Sequence, residues 1–429
     1  MDPNLLALIG ITVLFVFMFL RMPISFAMFI VGFVGILLVA SPQAAYNVLS
    51  ADLWNQFSSY SLSVVPLYIL MGEVVFRTGI TEKLFQAAYK WIGHLKGGMA
   101  STTILASAGF ASICGSNSAT AATMATMSLP ELDKYKYDKA LSTGSIATGG
   151  TLGIIIPPST VLIVLALQME QSVKELFVAS IVPGLLLTIL LIMTVVFICR
   201  RNPEYGPAGE RSTMKERMAS LRDVIPIALL FVFVIGGLYK GWFTPTESGA
   251  FGAFGAIVLS IVMKKITWRK FQTAMSGTLK SSAMVLMLVV GAMVFGRFLT
   301  ITRLPFTVAE WVNQLPVPPI VVLLAILLIY VIGGSIMDAL GFLIISIPIF
   351  YPTVVALGYD PVWFAVILCV VTSMGAITPP VGVNVFVVQG LTPQTPVTTV
   401  FKGASYFLVT YILFIGLLIL FPQIILFFV

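Results

Sequence analysis

Apolar runs long enough to cross a bilayer recur along the whole chain. They fall at about 4–20, 23–40, 60–76, 138–169, 181–199, 224–240, 246–263, 276–300, 361–391 and 404–421. A helix spanning the hydrocarbon layer needs about 20 such residues. Charged residues make up 10% of the 429, against about 25% in soluble domains, so the sequence cannot furnish a water-facing surface. It reads as one integral membrane domain. The first span starts at Asn4 with no basic stretch and no cleavage site, which marks a retained helix rather than a signal peptide.

Two further apolar stretches, about 97–130 and 317–350, are each too long for one span and too short for two. Turn residues sit at their centres: Gly115-Ser116-Asn117-Ser118 in the first, Gly333-Gly334-Ser335 and Asp338 in the second. A helical hairpin that enters part way and returns on the same side explains both. Irregular backbone at that depth survives only if it is buried in protein or lines a cavity. With the N-terminus outside, this topology puts all of the 24 basic residues on the inner side except Lys174, Lys240, Arg297 and Arg303. The net charge of +7 thus follows the positive-inside rule rather than pointing to nucleic acid. Both termini fall outside, and the polar loop 200–223 becomes a cytoplasmic seam.

The halves on either side of that seam echo each other. Pro23, Gly32 and Gly35 return as Pro245, Gly252 and Gly255; Gly72 and Arg77 as Gly291 and Arg297. Gly115-Ser116 returns as Gly334-Ser335, and the run from Gly153 to Pro158 as that from Gly375 to Pro380. Ordered echoes at one spacing mark an internal repeat. The predicted division is a first repeat over 1–200, a linker over 201–223 and a second repeat over 224–429. The first hairpin opens inward and the second outward, so the repeats are inverted. Inverted repeats with broken helices characterise secondary transporters, with the binding site near the midplane.

Two adjacent prolines inside an apolar span break it, because proline lacks a donor and clashes with the preceding turn. Pro157-Pro158 frees the carbonyls of Gly149, Gly150, Gly153 and Ile156; Pro379-Pro380 frees those of Thr372, Gly375 and Thr378. A hairpin tip packed on each break would complete two oxygen-lined cages suited to Na⁺. The plain alternative is a pair of packing kinks. Asp338, an acid at membrane depth, is a functional candidate by default. It could ligate a cation, carry a proton or cap the second hairpin helix. Thr244-Pro245-Thr246-Glu247 reads first as a helix start, and Glu73 as a partner for Arg77 one turn on. Arg297 could attract an anion or anchor to headgroups. His94 reads as solvated, and Cys114, Cys199 and Cys369 as packed thiols. No Walker loop, His-Glu-x-x-His or Gly-x-Ser-x-Gly motif is present, which argues against ATP hydrolysis and against an enzyme.

The runs from Gly115 to Thr120, Gly153 to Ser159, Phe243 to Ser248 and Gly375 to Gly382 resemble the large membrane subunit, DctM-like, of TRAP (tripartite ATP-independent periplasmic) transporters, within the ion transporter superfamily. The resemblance runs nearly end to end. It implies an all-α, elevator-type, Na⁺-coupled importer in the bacterial inner membrane, with no cofactor beyond Na⁺ as coupling ion. Its partners would be a separate four-helix small membrane subunit and a periplasmic substrate-binding protein. By position it implies a first Na⁺ site at Ser112, Ser116, Asn117, Gly149 and Gly153, and a second at Gly334, Ser335, Asp338, Gly375 and Thr378. It also implies a substrate site among Ser118, Thr120, Pro157, Pro158, Ser159, Pro379, Pro380 and Asn384. Members that carry sialic acid tend to have an acid where this chain has Thr120, which favours four-carbon dicarboxylates or other small carboxylates and sulfonates. The rival reading is a stand-alone anion transporter or antiporter. Hairpins and broken helices are expected to move together against all the remaining spans.

Overall fold

The computed structural model describes residues 2–428, apart from the side chains of Ile80, Asp223 and Asn313, and every regular element in it is helical. The first half runs α1 (Pro3–Phe19), α2 (Ile24–Val39), the short α3 (Pro42–Asn47) and α4 (Leu53–Phe57), then α5 (Val64–Arg77) and α6 (Ile80–Ile92). It continues through α7 (Gly98–Cys114), α8 (Asn117–Lys134), α9 (Lys139–Ile155), α10 (Thr160–Gln168) and α11 (Val173–Arg201). The second half runs α12 (Met214–Tyr239), α13 (Pro245–Val262), α14 (Trp268–Ile301) and α15 (Leu304–Asn313). After these come α16 (Pro319–Ile336), α17 (Ala339–Ala356), α18 (Pro361–Gly375), α19 (Val383–Leu391), α20 (Val397–Leu420) and α21 (Gln423–Leu426). Seven helices among the described residues are long and apolar enough to cross a bilayer, and up to nine if bent pairs count as one span.

Each half contains a hairpin followed by a broken helix. Gly115, at φ +62, closes α7, and Ser116 caps α8 through its hydroxyl. In the second hairpin the turn lies at Met337-Asp338, with Asp338 capping α17. Ser116 and Asp338 are therefore equivalent, at the 222-residue spacing that also separates Pro23 from Pro245 and Gly153 from Gly375. The expected echo of Gly115-Ser116 in Gly334-Ser335 is out of register: the latter pair lies inside the last turn of α16. The echo of Gly72 in Gly291 also separates on contact, since Gly72 lies against the end of α7 and Gly291 against Ser25 of α2. The hairpin legs are longer than part-way helices, at 17 and 18 residues in the first and 18 in each leg of the second.

The breaks fall at the double prolines. α9 and α10 meet at 41°, and residues 376–382 separate α18 from α19. Pro157-Pro158 and Pro379-Pro380 are both cis.

Packing divides the helices into two bodies. α2 lies on α14, α13 on α5, and α5 on α14, so each half supplies one partner to the other. The second body is braced crosswise in the same way, with α10 on α17 and α19 on α8. α11 and α20 pack on α9 and α18, so by contact they belong with the hairpins and not, as expected, with the remaining spans. Between the bodies α5 meets α7 and α10 and α14 meets α17, while α6 bridges α7 and α12 and α15 bridges α17 and α14.

Several connections carry structure that apolar runs do not reveal. α6 is amphipathic, burying Thr81, Phe85 and Ala88 along one face while Glu82 and Gln86 are exposed. α12 begins ahead of its apolar run, under a capping box of Thr213 and Glu216. The linker before it is a strap. Gly206 accepts the Gly97 N–H at 2.8 Å, Gly209 donates to Gly93 at 2.9 Å, and Tyr205 accepts the Asp138 N–H at 3.0 Å. The hydroxyl of Tyr137 donates to the Pro207 carbonyl at 2.7 Å. His94 lies 3.3 Å from Arg217 and is thus part of this strap rather than merely solvated. Arg297 makes two bonds to the Asp52 carboxylate, at 3.1 and 3.2 Å, and so holds the 41–59 segment against α14. Neither headgroup nor free anion had pointed to that pairing.

Small residues set the tightest crossing. A Cβ on Gly403 of α20 would lie 1.7 Å from the Ala140 carbonyl oxygen of α9, whereas one on Gly416 would meet nothing within 4 Å. Membrane helices associate closely through such residues, and overpacking costs about 1–3 kcal/mol or more. Gly403→Ala is therefore expected to lower the melting temperature of the detergent-purified protein, with Gly416→Ala unchanged within error.

Candidate functional site

Each hairpin tip sits on a break, and at each contact a glycine makes room. A Cβ on Gly153 would lie 2.6 Å from the Ser116 carbonyl oxygen and 3.0 Å from the Asn117 nitrogen. The Gly115 carbonyl accepts both the N–H of Thr160, at 3.4 Å, and its hydroxyl, at 2.9 Å. In the second pair, a Cβ on Gly375 would lie 2.7 Å from the Val331 carbonyl oxygen and 2.8 Å from the Gly334 carbonyl carbon. The Ser335 carbonyl accepts the N–H of Gly382 at 2.8 Å. The N–H groups that follow each break are thus partnered by the opposing tip, as lipid requires, while the Thr372 and Gly375 carbonyls, expected to be free, accept from Ala376 and Thr378 of their own segment at 2.9 and 2.8 Å. Asn384 ties α19 to the middle of α9: its side-chain amide donates to the Ala147 carbonyl at 3.0 Å.

Of the first predicted ion set, Ser116, Asn117 and Gly153 come together at the tip. Gly149 lies deeper, where a Cβ would be 2.5 Å from the Ser107 hydroxyl. Ser112 is turned away: its hydroxyl donates to the Gly109 carbonyl at 2.8 Å, and it borders an apolar crevice with Met71 and Phe231. In the second set, Gly334 meets Gly375 directly and Ser335 meets Gly382, while the Thr378 hydroxyl donates to the Met374 carbonyl at 2.7 Å. Asp338 caps α17, one oxygen accepting the Leu340 N–H at 3.2 Å. Polar capacity is left over beside both breaks: the Asn117 Nδ2, the Ser159 hydroxyl and the Asn384 Oδ1 are buried without a partner. No cluster of three or more His, Cys, Asp or Glu exists among the described residues. Neutral oxygens with at most one acid suit a weakly bound hard monocation, not a transition metal.

A cavity of about 280 Å³ lies on the seam between the two bodies. Ser116, Asn117 and Ser118 line it from the first tip and Asp338 from the second; Glu73 and Phe76 of α5 and Ser281 of α14 face them. Ser118 is where the substrate reading put it. The other substrate candidates are not on this wall. Thr120 is fully buried, its hydroxyl donating to the Ser116 carbonyl at 2.6 Å. Pro157, Pro158, Ser159 and Asn384 are buried, and Pro379 and Pro380 are exposed. Sequence reasoning missed Thr123, Thr160 and Ser281, and treated Glu73 only as a partner for Arg77. That pair is present at 3.3 Å, but the acid also faces the cavity. Its signal was an acid inside an apolar span. The predicted helix start at Thr244 is present, and Glu247 closes it as a capping box, accepting the Thr244 N–H at 2.8 Å.

Hairpins and broken helices that meet around a polar seam define a membrane transport protein. The chain belongs to the family described as "Tripartite ATP-independent periplasmic transporter, DctM component", whose model matches residues 11–424. It is a multi-pass inner-membrane permease subunit and not an enzyme. It is 33% identical over 389 residues to the C4-dicarboxylate TRAP transporter large permease protein DctM of Pseudomonas aeruginosa, covering 90% of each chain. It is 29% identical to the sialic acid TRAP transporter large permease protein SiaM of Vibrio cholerae, covering 95% of this chain and 94% of that one. The fold is similar to that of the YdaH transporter of Alcanivorax borkumensis, with a TM-score of 0.68 at 16% identity over 99% of this chain and all of that one.

If the glycines seat the tips, bulk there should unseat them. Gly153→Val and Gly375→Val are each expected to lower the melting temperature of the purified protein. Ser112→Ala, which removes only a bond to its own helix, should shift it by no more than about 0.5 kcal/mol equivalent.

Proposed function

We propose that the chain is the membrane-spanning half of a Na⁺-coupled importer of a small organic anion. The observation that carries this reading is the pair of glycine-seated tips, each meeting a break beside an unpartnered oxygen, Ser159 Oγ at the first and Asn384 Oδ1 at the second. Na⁺ would be held at the first tip by Ser116, Asn117 and Gly153, and at the second by Gly334, Ser335, Gly375 and Asp338. Such sites bind when backbone and side-chain oxygens replace the ion's hydration shell. The anion would occupy the seam cavity between the tips, where bound Na⁺ offsets its charge. No ATP is consumed.

A periplasmic binding protein delivers the anion, and a small membrane subunit holds the scaffold built from α1, α2, α5 and α12–α14. The division into repeats 1–200 and 224–429, joined by 201–223, is supported by the crosswise pairing of helices. In this reading both termini lie on the periplasmic side, as the distribution of basic residues favours. Alternating access comes from travel of the hairpin body along the membrane normal, carrying ions and anion past the scaffold. Relatives are named for C4-dicarboxylates, sialic acid, isethionate and 2,3-diketo-L-gulonate. A C4-dicarboxylate or another small carboxylate or sulfonate would fit the 280 Å³ cavity.

Uptake into proteoliposomes holding the subunits and the loaded binding protein should follow the Na⁺ gradient without ATP. Asp338→Ala is expected to cut Na⁺-driven uptake at least about tenfold, the effect of some 1.4 kcal/mol, while the protein still elutes as a single folded species. Full uptake in Na⁺-free medium with the membrane potential intact would remove the coupling claim. Uptake without any binding protein would favour the stand-alone carrier.

A further inference from the structure

The seam cavity is lined by two acids, Glu73 and Asp338, and by no lysine or arginine among the described residues. That is an unfavourable wall for an anion. The first acid, however, is not free. Arg77 Nε lies 3.3 Å from the Glu73 carboxylate, one helical turn on along α5. α14 has made room for this acid: a Cβ on Gly277 would lie 2.7 Å from Glu73 Oε2. Gly277 is one turn before Ser281, which lines the same cavity. The two side chains are 37% and 22% exposed. A pair as open as this is worth at most about 1 kcal/mol, so a competing carboxylate can take the arginine.

We propose that Glu73 and Arg77 form a release latch on the scaffold side of the cavity. Arg77 holds the outer acidic group of the anion while the cavity faces the cytoplasm, and Glu73 takes Arg77 back to let the anion go. The inference rests on the cavity being the anion site and on α5 staying still while the tips travel. Because α5 belongs to the scaffold, the contact exists in only one of the two end states. The latch therefore acts on release and not on uptake from the binding protein. Glu73 is the internal competitor: without it the anion keeps Arg77 and leaves slowly. Slow release lowers KM and Vmax together.

The test uses the reconstituted complex with its small subunit and binding protein. The probe is the radiolabelled anion that the wild type accumulates best from succinate, isethionate and sialic acid. Glu73→Gln should lower both KM and Vmax, each by up to about fivefold, the factor for an exposed ion pair. Arg77→Gln should raise KM, Arg77→Lys should restore part of it, and the double variant should match Arg77→Gln alone. Gly277→Ala, which pushes the carboxylate from its seat and so weakens the competitor, gives a second handle if Glu73→Gln folds poorly; it should lower KM and Vmax in the same direction. Variants that lose Vmax with KM unmoved would mean a structural pair only and would overturn the latch. A wild type that accumulates none of the three anions would overturn the anion reading itself, and the latch with it.

Discussion

Backbone released from a helix inside a membrane has nowhere to turn except to protein, a bound ion or trapped water. The two double prolines impose that demand at two places in this chain, and the hairpin tips meet the N–H groups that follow each break. Gly115 accepts from Thr160, and Ser335 accepts from Gly382. Gly153 and Gly375 remove the side chains that would keep tip and break apart. The crosswise bracing of α10 on α17 and α19 on α8 then ties the two tip–break units into one body. The position of the cavity and the polar atoms left over beside the breaks depend on that arrangement.

The chemistry of the site is spare. Hydroxyls, amides and carbonyls dominate, and most hydroxyls already donate to a carbonyl one turn back, as Thr120 and Thr378 do. Among the buried polar atoms not engaged in this way, those of Asn117, Ser159 and Asn384 lie at the breaks. Weak, reversible ion binding is what such groups can supply, and a carrier must release what it binds. The charged groups at the seam, Glu73 with Arg77 on one side and Asp338 on the other, are the places where a net charge in the cavity can be sensed.

The architecture was legible because prolines and glycines act locally. Pro157-Pro158 and Pro379-Pro380 located both breaks, and Gly115 and Asp338 marked the tips. The facing of side chains was not legible. A helix that is apolar all round carries no periodic stripe to orient it, so nothing in the sequence told that Ser112 turns to an apolar crevice or that Thr120 turns inward. The repeat register slipped at Gly334-Ser335, since glycines cluster at tips and a match of residue types can fall a turn away from the structural equivalent. Arg297 with Asp52 was out of reach for a different reason: the partners are 245 residues apart. The amphipathic α6 and the strap through Tyr205, Gly206 and Gly209 lie between apolar runs, where a search for spans finds only loops.

The central claim is that the tips and breaks form one body that moves against a scaffold of α2, α5, α13 and α14. Distances between paired spin labels test it directly, in protein whose three native cysteines have been replaced. Lys134 on α8 and Lys270 on α14 would carry one pair, across the seam; Lys134 and Lys402 on α20 would carry the other, within the moving body. Pulsed electron resonance in lipid should give a Lys134–Lys270 distribution that shifts between Na⁺-free and Na⁺-plus-substrate conditions, and a Lys134–Lys402 distribution that does not. Two unchanging distributions, or two that shift alike, would contradict the division into a moving body and a fixed one.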